Sequence, residues 1–511
     1  MSPQSKRFFL WFVIIFLVIF MVLISISLIH NFNKPKLISL PSRELRGIWM
    51  SRFDYTQPFK THDPDSMKAY ISDSFRKLKA ANFNVVFFQV RGNGDALYTS
   101  KYEPWSAFLS GELGKNPGWD PLAFAVEAAH QNGLELHAWI NTFPAWRGTT
   151  PPPITRPLQP YRAHPDWLVC DDTGQPMPLS EHYVSFSPGI PAVRDYIIKV
   201  VSDIVSRYDI DGLHFDYIRY PEGSQAHGYS HDPISRARFK SPDGNPLNLN
   251  WADWQREQVT EFIAKAYDRI TTIKPWVKVS VAAIGSYQST EWNGYHSVFQ
   301  DVRRWSEIGK IDLLIPMTYY ARNQSEYSFP KVIKDWKSKI SRERPLLPGL
   351  GAFNLEWKEI IAEIHDVRNN QFPGMVFFAL SSLDDENFNS LQTTEFKFPA
   401  IIPAFSWKDS IPPATPDNFS IDKTDSKIVE FTWQVTAIPL DKDVCKRFII
   451  YRSVNLPIDL TKGENIFAII PGTETSYKTE MKLLDRRYSY TITSLDDAEN
   501  ESTPLSPIRL E

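Results

Sequence analysis

Between residue 44 and about residue 410 the chain alternates two hydrophobic periods. Short runs rich in Val, Ile, Leu and Phe have the length of buried strands, and longer stretches with apolar residues three and four apart have the pattern of amphipathic helices. Strands are predicted over 46–51, 84–91, 135–141, 212–217, 278–284, 313–319, 346–350 and 375–380. Helices are predicted between them, over 66–81, 121–132, 192–208, 251–273, 297–308, 330–340 and 356–370. Asn82, Gly133 and Gly309 stand where helices end and strands open, as a left-handed C-cap requires. Strands alternating with helices imply a parallel sheet with helical crossovers. Eight of them predict an α/β fold, a (β/α)8 TIM barrel with long βα loops. A doubly wound open sheet is the alternative, but no Gly-rich phosphate loop follows the first strand.

The longest inserts, 92–120, 142–190, 221–250 and 285–296, each follow the C-terminal end of a predicted strand. In a barrel that end carries the chemistry. Their content of Pro, Gly, Trp and Tyr suits the walls of a groove. At Ile411-Pro-Pro-Ala-Thr-Pro416 the composition changes. Short alternating strands follow over 428–434, 447–453, 466–470, 476–479 and 488–495, the pattern of a small all-β immunoglobulin-like sandwich over 411–511. At the other end, Phe8 to Ile29 is an uncharged run of 22 residues preceded by Lys6 and Arg7. That is long enough for a transmembrane helix. Ser25-Ile-Ser27 followed by Leu-Ile-His offers no good cleavage site. Residues 1–35 therefore read as a cytoplasmic stub, a signal anchor in the inner membrane and a tether. The barrel over 44–410 and the module beyond it are then expected outside the cytoplasm, in the cell envelope.

Composition narrows the chemistry. Net charge is −3 and no basic block occurs, so nucleic acid is not an expected partner. The cysteines are Cys170 and Cys445 alone, too far apart in sequence to suggest a disulfide and too few for a Cys-type metal set. His-x-His, His-Glu-x-x-His and Gly-x-Ser-x-Gly spacings do not occur, so neither a metal, nor another cofactor, nor a serine nucleophile is implied. Trp numbers 16, and fourteen of these fall between Trp49 and Trp407. Many must fill a core, but indole faces also stack on the apolar faces of sugar rings.

The densest cluster of chemistry is Asp211-Gly-Leu-His-Phe-Asp-Tyr-Ile-Arg-Tyr-Pro221. It opens as a buried strand and ends in ionisable groups, which a strand core does not need. Strand alternation puts His214 and Asp216 on one face. If that face points into the barrel mouth, Asp216 is a candidate catalytic carboxylate, a nucleophile or charge stabiliser that Arg219 would hold ionised. A structural Asp–Arg pair at a strand end is the plainer reading. Glycosidases need a second carboxyl as acid, and Asp95 and Glu103, on the loop after the second strand, are the candidates. Glu222 and Glu291 lie on later loops. Gln89, Arg91, Trp105, His137, Trp139, Asn141, His214, Tyr217, Arg219 and Tyr319 would converge on the same mouth and position a polyhydroxylated ligand. Each of them taken alone also fits a satisfied residue of the barrel interior.

Several of these segments resemble one family. They are Leu45-Arg-Gly-Ile-Trp49, Asn84-Val-Val-Phe-Phe-Gln-Val-Arg91, Gly94-Asp-Ala-Leu-Tyr98, Glu103-Pro-Trp-Ser106, Gly118-Trp-Asp-Pro-Leu122, His130-Gln-Asn-Gly-Leu-Glu-Leu-His-Ala-Trp-Ile-Asn141, His164-Pro-Asp-Trp167, Ser187-Pro-Gly-Ile-Pro191 and the run 211–221. Over roughly residues 44 to 400 the chain resembles the glycosyl-hydrolase-like proteins commonly named family 10 glycosylhydrolase, a group that includes a divisome-associated peptidoglycan glycan hydrolase of Gram-negative bacteria. The resemblance implies a (β/α)8 barrel, an envelope location and hydrolysis of glycan strands, with peptidoglycan stripped of its stem peptides as the expected polysaccharide. Many relatives carry a second Asp where this chain has Tyr217, a departure that bears on mechanism if that carboxylate matters. Pro412-Pro-Ala-Thr-Pro416, Trp433, Tyr451-Arg452 and the ending from Tyr488 to Ser502 resemble a fibronectin type III module, which implies spacing or the binding of envelope or division proteins. Non-catalytic glycan binding or scaffolding is the rival to hydrolysis, and glycan transfer a third reading.

Overall fold

The computed structural model describes residues 40–58, 61–223, 228–324, 326–340, 343–424, 427–436 and 445–509. The apolar run 8–29 lies outside them, and no helix of the described residues is long and apolar enough to cross a membrane.

Residues Pro41–Glu511 form one compact unit built on an eight-stranded parallel sheet. Its strands are β1 (Leu45–Met50), β2 (Val85–Arg91), β3 (Glu135–Asn141), β6 (Gly212–Asp216), β7 (Lys278–Ile284), β8 (Leu313–Met317), β9 (Gly349–Gly351) and β10 (Gly374–Phe378). The hydrogen-bonded order is β8-β7-β6-β3-β2-β1-β10-β9. A parallel bridge between Leu314 and Leu346 joins the two ends of that order and closes the barrel. These strands are almost wholly buried, as strands with a packed interior on one side and helices on the other must be. The antiparallel pair β4 (Pro144–Gly148) and β5 (Ser180–Ser185) belongs to the long excursion after β3.

Most predicted elements form where the pattern placed them, and Asn82, Gly133 and Gly309 all have positive φ, as left-handed helix ends do. Two segments differ. The strand predicted over 346–350 is reduced to the bridge at Leu346 and to Gly349–Gly351, because Pro345 and Pro348 have no N–H for a ladder. The helix predicted over 297–308 is two short helices, Gly294–Ser297 and Val302–Glu307. Phe299 between them has φ +57. The Gln300 side chain turns inward there, accepting the Ile284 N–H at 2.9 Å and donating to Ala282 O at 3.2 Å.

The C-terminal strands are β11 (Asp417–Lys423), β12 (Ile428–Gln434), β13 (Arg447–Ser453), β14 (Ile466–Pro471), β15 (Ser476–Glu480), β16 (Ser489–Leu495) and β17 (Ile508–Arg509). They form a three-stranded sheet, β11-β12-β15, and a four-stranded one, β14-β13-β16-β17, with antiparallel pairing throughout. Trp433 and Phe431 of one sheet pack on Phe448 and Tyr490 of the other, which makes the pair a sandwich. The module is fastened to the N-terminal end of the barrel. Ile402, Phe405 and Ala498 close the barrel interior beneath Leu45, Val85 and Leu313. Lys446 Nζ reaches Glu135 at the start of β3 and Asp211 just before β6, both at 3.0 Å. Glu135 is held in addition by Lys278 at 2.7 Å. Both carboxyls sit well below the usual carboxylate range, because these cations outweigh the effect of burial.

Removing one member of a buried charge cluster leaves its partner uncompensated. Lys446→Ala is expected to destabilise barrel and module together by about 3 kcal/mol. In calorimetry this appears as one transition moved to lower temperature. Two separate transitions would mean that the module is not fastened to the barrel in this way.

Candidate active site

The C-terminal ends of the strands surround a cleft of about 260 Å³. Register sets Asp216, which ends β6, beside Asn141, which ends β3. The next residue, Tyr217, has φ +49, a left-handed conformation that is unfavourable for a bulky side chain. Its surroundings hold it there: Arg219 lies over its ring at 4.3 Å, and Tyr183 from β5 meets it edge-on at 5.2 Å. The turn directs the Tyr217 N–H to Asp216 Oδ1 at 2.6 Å and folds Arg219 back to 3.5 Å from the same oxygen.

Burial pushes the Asp216 carboxyl above its ordinary value, and Arg219, the Tyr217 N–H and the Trp139 indole only partly oppose it. Arg219 favours the ionised form, as expected, but by less than burial disfavours it. Arg219 offers one long contact rather than a fork, and the face of its guanidinium is taken by the Tyr217 ring. Below Asp216 the floor is aromatic. Trp139, Tyr319 and Phe378 line it, with Tyr319 stacked on Phe378 at 5.5 Å. The Tyr319 hydroxyl is buried without a hydrogen-bond partner. Burial first, and then Asp216, raise the Tyr319 phenol well above its usual value, so it stays a neutral hydroxyl.

One wall is a polar relay. Gln89 donates to Asn141 Oδ1 at 3.1 Å and accepts the Arg52 N–H at 3.0 Å. Arg52 donates to Asn93 Oδ1 at 2.7 Å and pairs with Asp95 at 3.8 Å. Gly92 makes room for it, since a Cβ there would come within 1.2 Å of Arg52 Nη1. Arg147 of β4, with His182 and Tyr183 of β5, completes the far rim.

Of the expected site residues, Asp216, Gln89, Trp139, Asn141, Tyr217, Arg219 and Tyr319 line the cleft together. The others are elsewhere. Arg91 and Glu103 are a fully buried pair, with Arg91 Nε and Nη2 donating to the carboxylate at 2.7–3.0 Å. Asp95 lies behind Arg52 and also accepts the Asn93 N–H at 2.7 Å. Trp105 bridges Ala96 and packs on the main core. His137 and His214 lie inside the barrel, both 0% exposed. The Trp49 indole donates to His214 Nε2 at 3.0 Å, so Nδ1 carries the proton and donates to Ser280 Oγ at 2.9 Å. Burial, and then His137, keep that imidazole neutral.

Among the described residues Asp216 is the one carboxylate on the cleft wall, and no group of three or more His, Cys, Asp and Glu could hold a metal ion. Glu222 and Glu291 are exposed on loops. Sequence reasoning missed Arg52, Asn93, Arg147, His182, Tyr183, Met317 and Phe378. Arg52, Met317 and Phe378 end or directly follow barrel strands and could have been found by that position. The excursion residues carried no such signal.

Residues 44–356 match the family described as Glycosyl hydrolase-like 10. Glycosyl hydrolase YngK of Bacillus subtilis (strain 168) is 26% identical over 501 residues, covering 90% of this chain and 92% of that one. Glycosyl hydrolase DigH of Escherichia coli (strain K12) is 30% identical over 342 residues, covering 61% of this chain and 74% of that one. Among solved structures, the PgaB (BpsB) glycoside hydrolase domain from Bordetella bronchiseptica aligns with a TM-score of 0.45 at 12% identity, over 69% of this chain and 97% of that one.

Two outcomes are expected from this geometry. The folded state binds the Asp216 proton more tightly than the unfolded state does. Stability contributed at this site therefore falls as pH rises from the ordinary aspartate value, about 3.9, through the raised folded one. Asp216→Asn should melt above wild type at neutral pH, and the difference should vanish in acid. Glu103→Ala strands a buried guanidinium and should cost about 3–5 kcal/mol in denaturant unfolding, whereas Arg91→Met with Glu103→Leu should recover most of that loss.

Proposed function

Because the chain belongs to the glycosyl hydrolase-like 10 family, we propose that it hydrolyses glycosidic bonds in glycan strands of the cell envelope, with Asp216 as the proton donor. The observation that carries this reading is a single carboxyl, pushed up by burial, at the mouth of a barrel on an aromatic floor. A glycosidase must protonate the leaving oxygen, and burial shifts this carboxyl toward the protonated form that such a donor needs. The aromatic rings supply faces for a sugar, and Gln89, Asn93 and Asn141 supply hydrogen bonds to its hydroxyls.

Peptidoglycan stripped of its stem peptides is the polysaccharide that the charge of the cleft favours. Arg52, Arg147 and Arg219 line it against the one carboxyl of Asp216. Removing the stem peptides frees a lactyl carboxylate on every second sugar, which a guanidinium recognises well. The run 8–29 supports an anchor that holds the barrel in the envelope, and the C-terminal module is proposed as a contact for other envelope or division proteins. Glycan binding without hydrolysis is a second reading, favoured by the cleft having one carboxyl rather than two.

One experiment separates the two. The purified full chain and its Asp216→Asn variant are incubated with peptidoglycan glycan strands, with and without stem peptides, and products are read by mass spectrometry. Hydrolysis predicts cleavage by wild type, faster on the peptide-free strands, and a loss of about a thousandfold in the variant. Equal cleavage by both proteins would remove Asp216 from the mechanism. Retention of the strands by both proteins without cleavage would establish binding instead.

A further inference from the structure

Among the described residues the cleft offers one carboxyl, Asp216, and no partner carboxylate. An enzyme that inverts needs a base about 6.5–9.5 Å from the acid, and one that retains through a covalent intermediate needs a nucleophile at about 5–5.5 Å. Asp95 is committed to Arg52 and the Asn93 N–H, and Glu103 to Arg91, both outside the cleft. The position that follows the acid in the chain is Tyr217, which has no carboxylate and whose ring is packed between Arg219 and Tyr183.

The floor beneath Asp216 is incomplete in a different way. The Tyr319 hydroxyl is buried without a partner, although a phenol can both donate and accept. The lining there includes Met317 and Phe378, both apolar. A buried hydrogen-bonding group left without a partner is unfavourable. Such a hydroxyl beside an apolar patch fits a small substituent with an amide on one side and a methyl on the other.

We propose that the missing nucleophile comes from the substrate, as the 2-acetamido oxygen of an N-acetylhexosamine, and that Tyr319 is the residue that holds this group. The inference rests on the hydrolase reading above. Tyr319 Oη accepts the acetamide N–H, which leaves the amide oxygen free to attack, and the methyl lies against Met317 and Phe378. The amide oxygen then forms a bond to C1 as the C1–O bond to the leaving sugar breaks. The electron pair of that bond goes to the leaving oxygen, which takes its proton from Asp216, and an oxazolinium ion remains. Water next attacks C1, its proton returns to the Asp216 carboxylate and the C1–oxygen bond of the ring breaks. The acetamide is restored, the configuration at C1 is retained and the net change is hydrolysis.

The test uses peptide-free peptidoglycan glycan strands that have been de-N-acetylated and then re-acylated in parallel with acetyl or trifluoroacetyl groups. Fluorines withdraw electrons from the amide oxygen and weaken it as a nucleophile without altering the leaving group. The full chain should cleave the acetyl strands with retention at C1, read by NMR. It should cleave the trifluoroacetyl strands about a hundredfold more slowly, the scale on which loss of one stabilising group slows an enzyme. Tyr319→Phe should lower kcat on acetyl strands by a similar factor while its melting temperature stays that of wild type. Equal rates on the two acyl forms, or inversion at C1, would overturn the assisted mechanism and leave the hydrolase standing. Absence of cleavage on every strand would overturn both.

Discussion

The guanidinium of Arg91 ties together the parts on which the cleft depends. It grips Glu103 of the following loop through two nitrogens, and its third donates to the backbone carbonyls of Asn141 and Thr142 at the end of β3. Thr142 in turn donates its N–H and its hydroxyl to the Asp216 carbonyl, at 2.7 and 2.8 Å. A loop and the ends of β2, β3 and β6 are thereby joined by one continuous set of hydrogen bonds. Strand ends that fray would spread the groups around Asp216. Here they are fixed by a charge pair that solvent does not reach, and such a pair resists loss of either partner far more strongly than an exposed one.

The same wall has a second function in the electrostatics. The carboxylates beside the cleft are engaged by cations, Glu103 by Arg91 and Asp95 by Arg52. Asp216 also has a cation, Arg219 at 3.5 Å, but that guanidinium lies over the Tyr217 ring and burial outweighs it. Burial therefore dominates at Asp216 and favours the protonated form. Three carboxylates lie within one region, and of these Asp216 lines the cleft while Glu103 and Asp95 lie behind its wall. The strained turn at Tyr217 belongs to this arrangement, because it positions both the Tyr217 N–H and Arg219.

The N-terminal end of the barrel has the opposite character. Glu135, Asp211, Lys278 and Lys446 neutralise one another there, and Ile402, Phe405 and Ala498 seal the interior. A sandwich packed on that end leaves the cleft end open to a long polymer. Chemistry and stability thus occupy opposite ends of the same strands, as is usual for parallel barrels.

Periodicity alone placed the barrel strands and the crossover helices, because burial on both faces and helix amphipathicity are properties of local sequence. Where local pattern met a specific backbone demand it failed, at the prolines beside Leu346 and at the inward turn of Gln300. Asp216, Trp139 and Tyr319 were legible in the cleft because the C-terminal ends of parallel barrel strands open on that face, whereas Arg91 at the end of β2 turns to Glu103 instead. Asp95, Glu103, His137 and His214 were equally visible as polar residues near strand ends. Their side chains could nevertheless satisfy a buried partner as readily as a substrate, and the choice depended on groups distant in sequence. Arg147, His182 and Tyr183 reach the rim only because β4 and β5 pair across 31 intervening residues of an excursion. The sequence by itself determined which strands form and which end of each carries polar groups. Only the tertiary structure decided which of those groups are spent on one another and which remain free for a ligand, because desolvation and ion pairing are settled by neighbours that the chain brings together when it folds.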